Sequence, residues 1–244
     1  MNDLKANWFT VNDSAILNEL APTGYNTLYH CPRSGRRDGG TALLVRNGYV
    51  TSKISCIEKS SFEVSEWLVD DRSTQLRIVI IYRPPSSPVH PVSSSTFFAE
   101  FSDYLESVVM SSEPLVLLGD FNIHVDVPTH MDAIQFRDLL DSMGLQQHVK
   151  RPTHIHGHTL DLLITRQSDV IIAKEPEIER YFSDHAVVYV ILRQLCLPLK
   201  SPTLSPGNSK ELTSNSFWKI FVIPAYVVTL LILLMNLWNA TIIL

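Results

Sequence analysis

Four short stretches of this chain hold side chains suited to hydrolysing a phosphodiester. Leu115-Val-Leu-Leu-Gly-Asp120-Phe-Asn122 runs from an apolar segment into a carboxylate and an amide. Positions two apart share a face of an extended chain, so Asp120 and Asn122 are expected to work together. Thr159-Leu-Asp161 adds a second acid, Ser183-Asp184-His185 an acid beside an imidazole, and Tyr82 a phenol at the end of an apolar run. Phosphodiester hydrolysis needs an activated water, neutralised charge at phosphorus and a stabilised leaving oxygen. Asp120 can orient or deprotonate the water. Asn122, Tyr82 and a charged His185 can hold phosphate oxygens, and Asp161 can fix the tautomer of His185. Asp184 is a candidate metal ligand, and Thr159 and Ser183 are candidate substrate contacts. Each residue also has a duller reading. Gly-Asp-Phe-Asn can be an ordinary turn, Asp161 a structural acid, Tyr82 a core residue and Ser183 a turn cap. The coincidence of all four stretches at strand ends is what favours chemistry.

The elements that must position these groups are legible as periodicities. Tyr25 to Cys31 and Thr41 to Arg46 read as a strand pair joined by a Gly-rich turn. That turn holds Arg33, Arg36 and Arg37, which either grip phosphates or sit solvated. Lys53 to Cys56, Phe62 to Val69 and Leu76 to Tyr82 read as strands, the last halted by Pro84-Pro85. Thr96 to Met110 and Ala133 to Met143 show helical spacing. Leu115 to Leu118, Leu160 to Thr165 and Ala186 to Leu192 complete the strands. Strands with interspersed helices predict an α/β (α+β) fold, sheet packed on sheet with helices outside. His154, His156 and His158 alternate. An extended chain would put all three on one face as a transition-metal site, whereas a solvent-facing loop is the plainer reading.

With 244 residues and a net charge of −5, the chain can bury a substantial core and is not generically basic. The charge argues weakly against non-specific nucleic-acid affinity. Its three cysteines, Cys31, Cys56 and Cys196, have neither zinc spacing nor an even count. They read as free thiols in a reducing compartment. Met1 to Phe9 contains no apolar stretch of the signal-peptide kind. Residues 1–195 are expected to form the globular domain and 196–218, rich in Pro, Ser, Thr and Asn, a linker. Residues 219–244 are the candidate transmembrane helix. Ile220 to Leu244 carries no charge, and as a helix would span roughly 37 Å, against a hydrocarbon core of about 30 Å. Lys210 and Lys219 precede it, which would keep the globular part cytoplasmic.

Taken together, Leu-Leu-Gly-Asp120-Phe-Asn122, Tyr82-Arg-Pro-Pro, Thr159-Leu-Asp161-Leu-Leu-Ile-Thr and Ser183-Asp184-His185 resemble the endonuclease/exonuclease/phosphatase superfamily. More narrowly, they resemble the apurinic-type endonuclease domain of non-LTR retrotransposons. The resemblance covers about residues 7–193. It implies a four-layer sandwich of two packed mixed β-sheets flanked by helices, to which the tail would add a C-terminal hydrophobic helix. It also implies Mg²⁺ (or Mn²⁺) as cofactor, DNA as partner and nicking that leaves a 3′-hydroxyl. Asp120 would be the water-activating acid, Asn122 its partner at the phosphate, Tyr82 a phosphate contact, Asp161 and His185 the acid–imidazole pair, and Asp184 a residue of the metal site. The chain departs from the pattern at its start. The family's first strand and helix are missing, and Ala6 stands where the family has its chief metal-ligand glutamate. That departure implies a truncated, element-derived reading frame with impaired catalysis. The alternatives are a silent membrane-tethered relic or a phosphoesterase for a small molecule or phosphoinositide. A nuclear substrate and a membrane tail imply different locations, and no obligate protein partner is implied.

Overall fold

The computed structural model describes residues 24–25, 29–31, 41–70, 74–88, 91–181, 184–193, 217–222 and 241–243. In chain order the described elements begin with β1 (Tyr29–Cys31), β2 (Thr41–Leu44), β3 (Val50–Glu58), β4 (Glu63–Asp70), β5 (Gln75–Tyr82), α1 (Ser94–Val108) and β6 (Leu115–Asp120). They continue with α2 (Met131–Ser142), β7 (Leu145–Gln147), β8 (Asp161–Arg166), β9 (Ile172–Tyr181), β10 (Ala186–Arg193), β11 (Phe217–Val222) and β12 (Thr241–Ile243). Two mixed sheets form, in the orders β1-β2-β12-β11-β10-β9 and β3-β4-β5-β6-β8-β7.

Strands apolar on both faces must be covered on both sides, and β5, β6 and β8 are such strands. Ile78, Ile80, Val116, Leu118 and Leu163 join Leu43, Val188 and Val190 in a core between the two sheets. The alternate residues Val79, Ile81, Leu115, Leu117, Leu162 and Ile164 face a second core under the helices. There Phe97 and Phe101 of α1 and Phe136 of α2 pack on Phe62 and Phe121, with Phe101 stacked between Phe97 at 5.2 Å and Phe136 at 5.9 Å. The Ser93 hydroxyl accepts the Thr96 amide at 3.1 Å and starts α1 two residues before the expected Thr96. Described residues thus build three layers, sheet on sheet with helices over the second sheet, as the periodicities predict.

Several expectations meet a different outcome. Phe217–Val222 pairs antiparallel with β10, and Thr241–Ile243 pairs with β11 and β2. The described ends of the candidate transmembrane segment are therefore strands of the first sheet, while 223–240 lie outside the described residues. β-Branched and aromatic residues suit a sheet as well as a bilayer, and hydropathy alone does not separate the two. Among the described residues no helix is long and apolar enough to cross a membrane. Cys31 and Cys56, read as free thiols, are joined in a disulfide between β1 and β3, with Cα atoms 6.0 Å apart. Their 25-residue separation gave no hint of it. Ala6, Arg33, Arg36, Arg37, Ser183 and Cys196 lie outside the described residues.

At Gly119 β6 comes too close to β5 for a side chain. The residue's φ is +136°, and a Cβ there would stand 1.9 Å from the carbonyl oxygen of Ile81 on β5. Gly119→Ala is expected to destabilise the protein by about 3 kcal/mol or more, through backbone strain and a clash that no side-chain motion relieves. An unchanged urea midpoint would show that β5 and β6 are not so closely paired.

Candidate active site

The register of the second sheet lines up three of the candidate residues. Tyr82 is paired with Asp120 across β5 and β6, and Asp120 with Asp161 across β6 and β8. All three sit on the strand faces that carry Ile80, Leu118 and Leu163, so they continue the inter-sheet core at the point where it becomes polar. His185 reaches them from the first sheet, one residue before β10. Its Nδ1 lies 2.7 Å from Asp161 Oδ2, with both residues buried. The Thr153 hydroxyl accepts the amides of Leu160 and Asp161, each at 3.0 Å, and holds the entry to β8.

Asn122 meets Asp120 by a route other than an extended chain. Its φ is +47°, a left-handed conformation that Asn tolerates better than most residues. The Asn122 amide donates to Asp120 Oδ1 at 3.0 Å. Its Nδ2 donates to Asp120 Oδ2 at 3.0 Å and to the Arg83 carbonyl at 2.7 Å. Both side-chain hydrogens are thereby engaged within the protein. Asn122 thus holds the Asp120 carboxylate by two bonds. Arg83 escaped the sequence reading. Its buried guanidinium donates to the carbonyls of Phe121 at 3.3 Å and Asn122 at 3.1 Å, and lies 4.5 Å from the Phe97 ring centroid. Burial lowers its pKa, against the charges of Asp132 and Asp120. The only available signal was the Tyr-Arg-Pro-Pro phrase, which does not say that the arginine turns inward.

A cavity of about 590 Å³ opens over this row, lined by Tyr82, Asp120, Asn122, His154, Asp184 and His185 among others. The three alternating histidines do not share a face. The chain turns at 154–157, with Gly157 N–H donating to the His154 carbonyl at 2.9 Å. His154 is sent to Asp184, its Nε2 3.7 Å from Oδ2. His158 instead bonds Asp126 at 3.0 Å and stacks on His124 with ring centroids 3.9 Å apart. Thr159, a candidate substrate contact, is buried and donates its hydroxyl to the Arg151 carbonyl at 3.1 Å, which makes it a loop brace. Two sets of side chains could hold a metal ion, Asp120 with Asp161 and His185, and His154 with Asp184 and His185.

Two facing acids in one pocket shift the local proton affinities. Burial is the largest cause raising Asp120, the Asp161 charge adds to it, and His185 and the Asn122 bonds pull the other way. The net result is a carboxyl pushed up to about 8. For His185 burial opposes the charged form, but the bond and charge of Asp161 outweigh it, and the imidazole holds its proton above the usual range. Burial and the charge of His185 lower His154.

Residues 76–189 match the model of a family described as endonuclease-reverse transcriptase. The match spans just under half of the chain. No curated protein matches the chain. Among solved structures, humanized TDP2 of D. rerio is similar over 74% of this chain and 80% of that one, at 11% identity and TM-score 0.48. The mannosyl-6-phosphatase of Bacteroides thetaiotaomicron is similar over 72% of this chain and 79% of that one, at 12% identity and TM-score 0.48. An endonuclease/exonuclease/phosphatase family protein of Leptotrichia buccalis covers 70% and 73%, at 14% identity and TM-score 0.47. The Tyr82–Asp120–Asp161–His185 row brings together two acids, an imidazole and a phenol, groups suited to acid–base work at a phosphoester.

The proton affinities give the site a pH signature. A carboxyl raised from about 3.8 takes up a proton on folding, so stability falls as pH rises from there through about 8. The His185 contribution has the same sign. It is complete below the ordinary value of 6.5 and is lost as pH rises through the higher folded value. Asp120→Asn removes the first dependence. Its stability relative to the parent is expected to improve by at least about 1.4 kcal/mol between about pH 4 and pH 8. Chemical denaturation at both pH values reads this, and a constant difference would mean that Asp120 ionises as an ordinary acid.

Proposed function

We propose that this chain is a divalent-metal-dependent phosphodiesterase that nicks DNA, of the kind borne by non-LTR retrotransposons. The observation that carries the reading is the single row of Tyr82, Asp120 and Asp161, closed by His185 from the opposite sheet. The family description, endonuclease-reverse transcriptase, supports the choice of DNA over a small phosphoester. In the step we assign, a water oxygen forms a bond to phosphorus as the bond to the 3′-oxygen breaks. Asp120, held by Asn122, accepts the water proton. The products are a 3′-hydroxyl, protonated from solvent, and a 5′-phosphate. His185, oriented by Asp161, places positive charge against a non-bridging oxygen, and Tyr82 donates to the same phosphate.

Mg²⁺ is the ion that the resemblance implies, and part of the site fits it. Asp120 and Asp161 are paired across β6 and β8, and with His185 they bring three possible ligand atoms within 4.8 Å of one another. A hard ion prefers one or two carboxylates and water, and these two acids would hold it. When bound, it supplies charge neutralisation at phosphorus. Asp184, the ligand expected from sequence, is placed differently, beside the imidazoles of His154 and His185.

Nicking of supercoiled plasmid in Mg²⁺ tests the proposal. The parent chain is expected to exceed Asp120→Ala and His185→Ala by about 10²–10⁴-fold. Equal backgrounds in all three would favour the silent relic. Release of inorganic phosphate from small phosphoesters without nicking would favour the phosphatase reading.

A further inference from the structure

We infer that the stacked imidazoles of His124 and His158 form a platform for an unpaired nucleobase, in the wall of the cavity that holds Tyr82, Asp120 and His185. The inference rests on the reading of that cavity as a DNA-cleaving site and names the state of the nucleotide it takes. The two ring centroids are 3.9 Å apart and the ring planes only 6° from parallel. Both residues line the cavity of about 590 Å³ together with Tyr82, Asp120 and His185. A nucleotide whose phosphate lies against the acids can therefore lay its base on the stack without leaving the cavity. His124 is exposed although one face of its ring lies against His158. His130, the other ring near it among the described residues, is 6.5 Å away and tilted by 44°, too far and too oblique to stack. Proteins seat unpaired bases on aromatic side chains, His included, because every base offers a flat π-face to such a ring.

The platform is held through both loops that carry it. His158 Nδ1 donates to Asp126 Oδ2 at 3.0 Å, and the Thr159 amide donates to Asp126 Oδ1 at 2.9 Å. The His158 carbonyl accepts the amides of Thr153 and His154, each at 2.9 Å, and the His124 carbonyl accepts that of Val127 at 3.0 Å. His124 follows Asn122 closely and His158 closely precedes Asp161, which ties the rings to the strand ends that carry the acids. A surface fixed in advance loses little freedom when a base lands on it. Other uses of the pair suit the geometry less. Imidazole lone pairs lie in the ring plane, so an ion held in the plane of one ring stands out of the plane of the other. A phosphate would call for charge. Burial is the largest cause lowering the His124 pKa, His158 and His130 add to it, and Asp126 opposes them. Near neutral pH the ring is therefore an uncharged aromatic surface. Inside a duplex both faces of a base are covered by its neighbours. A base on His124 has left that stack, which costs least where the strand is already single or mismatched.

Strand binding in EDTA, where nothing is cut, tests the platform on the full-length chain. The probes are a short single strand of thymidines and a strand of equal length whose abasic units keep the phosphates and lack the bases. The parent is expected to bind the thymidine strand about fivefold tighter or more. His124→Ala should abolish that preference, whereas a ring that merely braced the loop would weaken both strands alike. His124→Phe, which keeps a ring, should retain the preference, and His130→Ala should leave it unchanged. His124→Leu, bulky but without a ring, decides the matter if the alanine variant fails to fold, which circular dichroism reports. A thymidine strand carrying 2-aminopurine should lose fluorescence on binding the parent, because stacking quenches it, and keep it on His124→Leu. Equal affinity of the parent for the two strands, unquenched 2-aminopurine, or an unchanged preference in folded His124→Leu would each overturn the platform, as would its loss in folded His124→Phe. The platform and the proposed nuclease fail separately. A chain that prefers bases and nicks no plasmid refutes only the nuclease. One that nicks plasmid and binds both strands equally refutes only the platform.

Discussion

The constraint from which the site follows is the pairing of one carboxylate directly against another. Asp120 and Asp161 are cross-strand partners at the end of a ladder that also pairs Val116 with Thr165, Leu117 with Ile164, Leu118 with Leu163 and Gly119 with Leu162. Like charges placed this way repel, and the backbone bonds behind them prevent their moving apart. The pocket must therefore acquire positive charge. Asn122 gives Asp120 two neutral donors, which soften the repulsion without cancelling it. A proton on Asp120, a proton on His185 or a bound cation can each complete the compensation. Those are the same agents that phosphoester hydrolysis requires.

The acids are kept there by hydrophobic register. A slip of one residue in β8 would exchange Leu163 for Leu162 and Ile164 between the two cores and turn Asp161 toward the phenylalanine-rich core under the helices. Each buried aliphatic side chain contributes about 1.5–3 kcal/mol, so the pattern of β5, β6 and β8 opposes the slip far more strongly than the two carboxylates favour it. Arg83 adds a local lock. It ties the end of β5 to the loop after β6 by its own amide, which donates to the Asp120 carbonyl at 2.8 Å, and by its guanidinium. Its ring contact with Phe97 carries that tie into α1.

Much of this was legible in the sequence, for identifiable reasons. The apolar runs ending at Tyr82 and Asp120, and the one that begins at Asp161, announce doubly buried strands, and chemistry at strand ends follows from where such strands stop being covered. Both helices were visible in the spacing of Phe97, Phe101 and Leu105, and of Phe136 and Leu140. β9 was not visible, because it is an edge strand carrying Lys174, Glu175, Pro176, Glu177 and Glu179. Charges and a proline suit an edge and erase the alternation that would betray it. Long-range partners were equally hidden. Nothing local tells Cys31 that Cys56 lies beside it, or Arg83 that it will turn into the core. Asn122 was recognised for its amide, but its left-handed backbone gives the position a second, conformational reason to be asparagine.

The histidines show how a loop can divide one pocket into two chemistries. Read as an extended chain, His154, His156 and His158 fall on one face. The turn at 154–157 separates them and delivers His154 to Asp184 and His158 to Asp126. One side of the cavity then presents carboxylates on a sheet, and the other presents imidazoles on a loop. His185 belongs to both. Its Nδ1 bonds Asp161 at 2.7 Å, and its ring stands 4.8 Å from that of His154, so the one imidazole joins the sheet side of the pocket to the loop side.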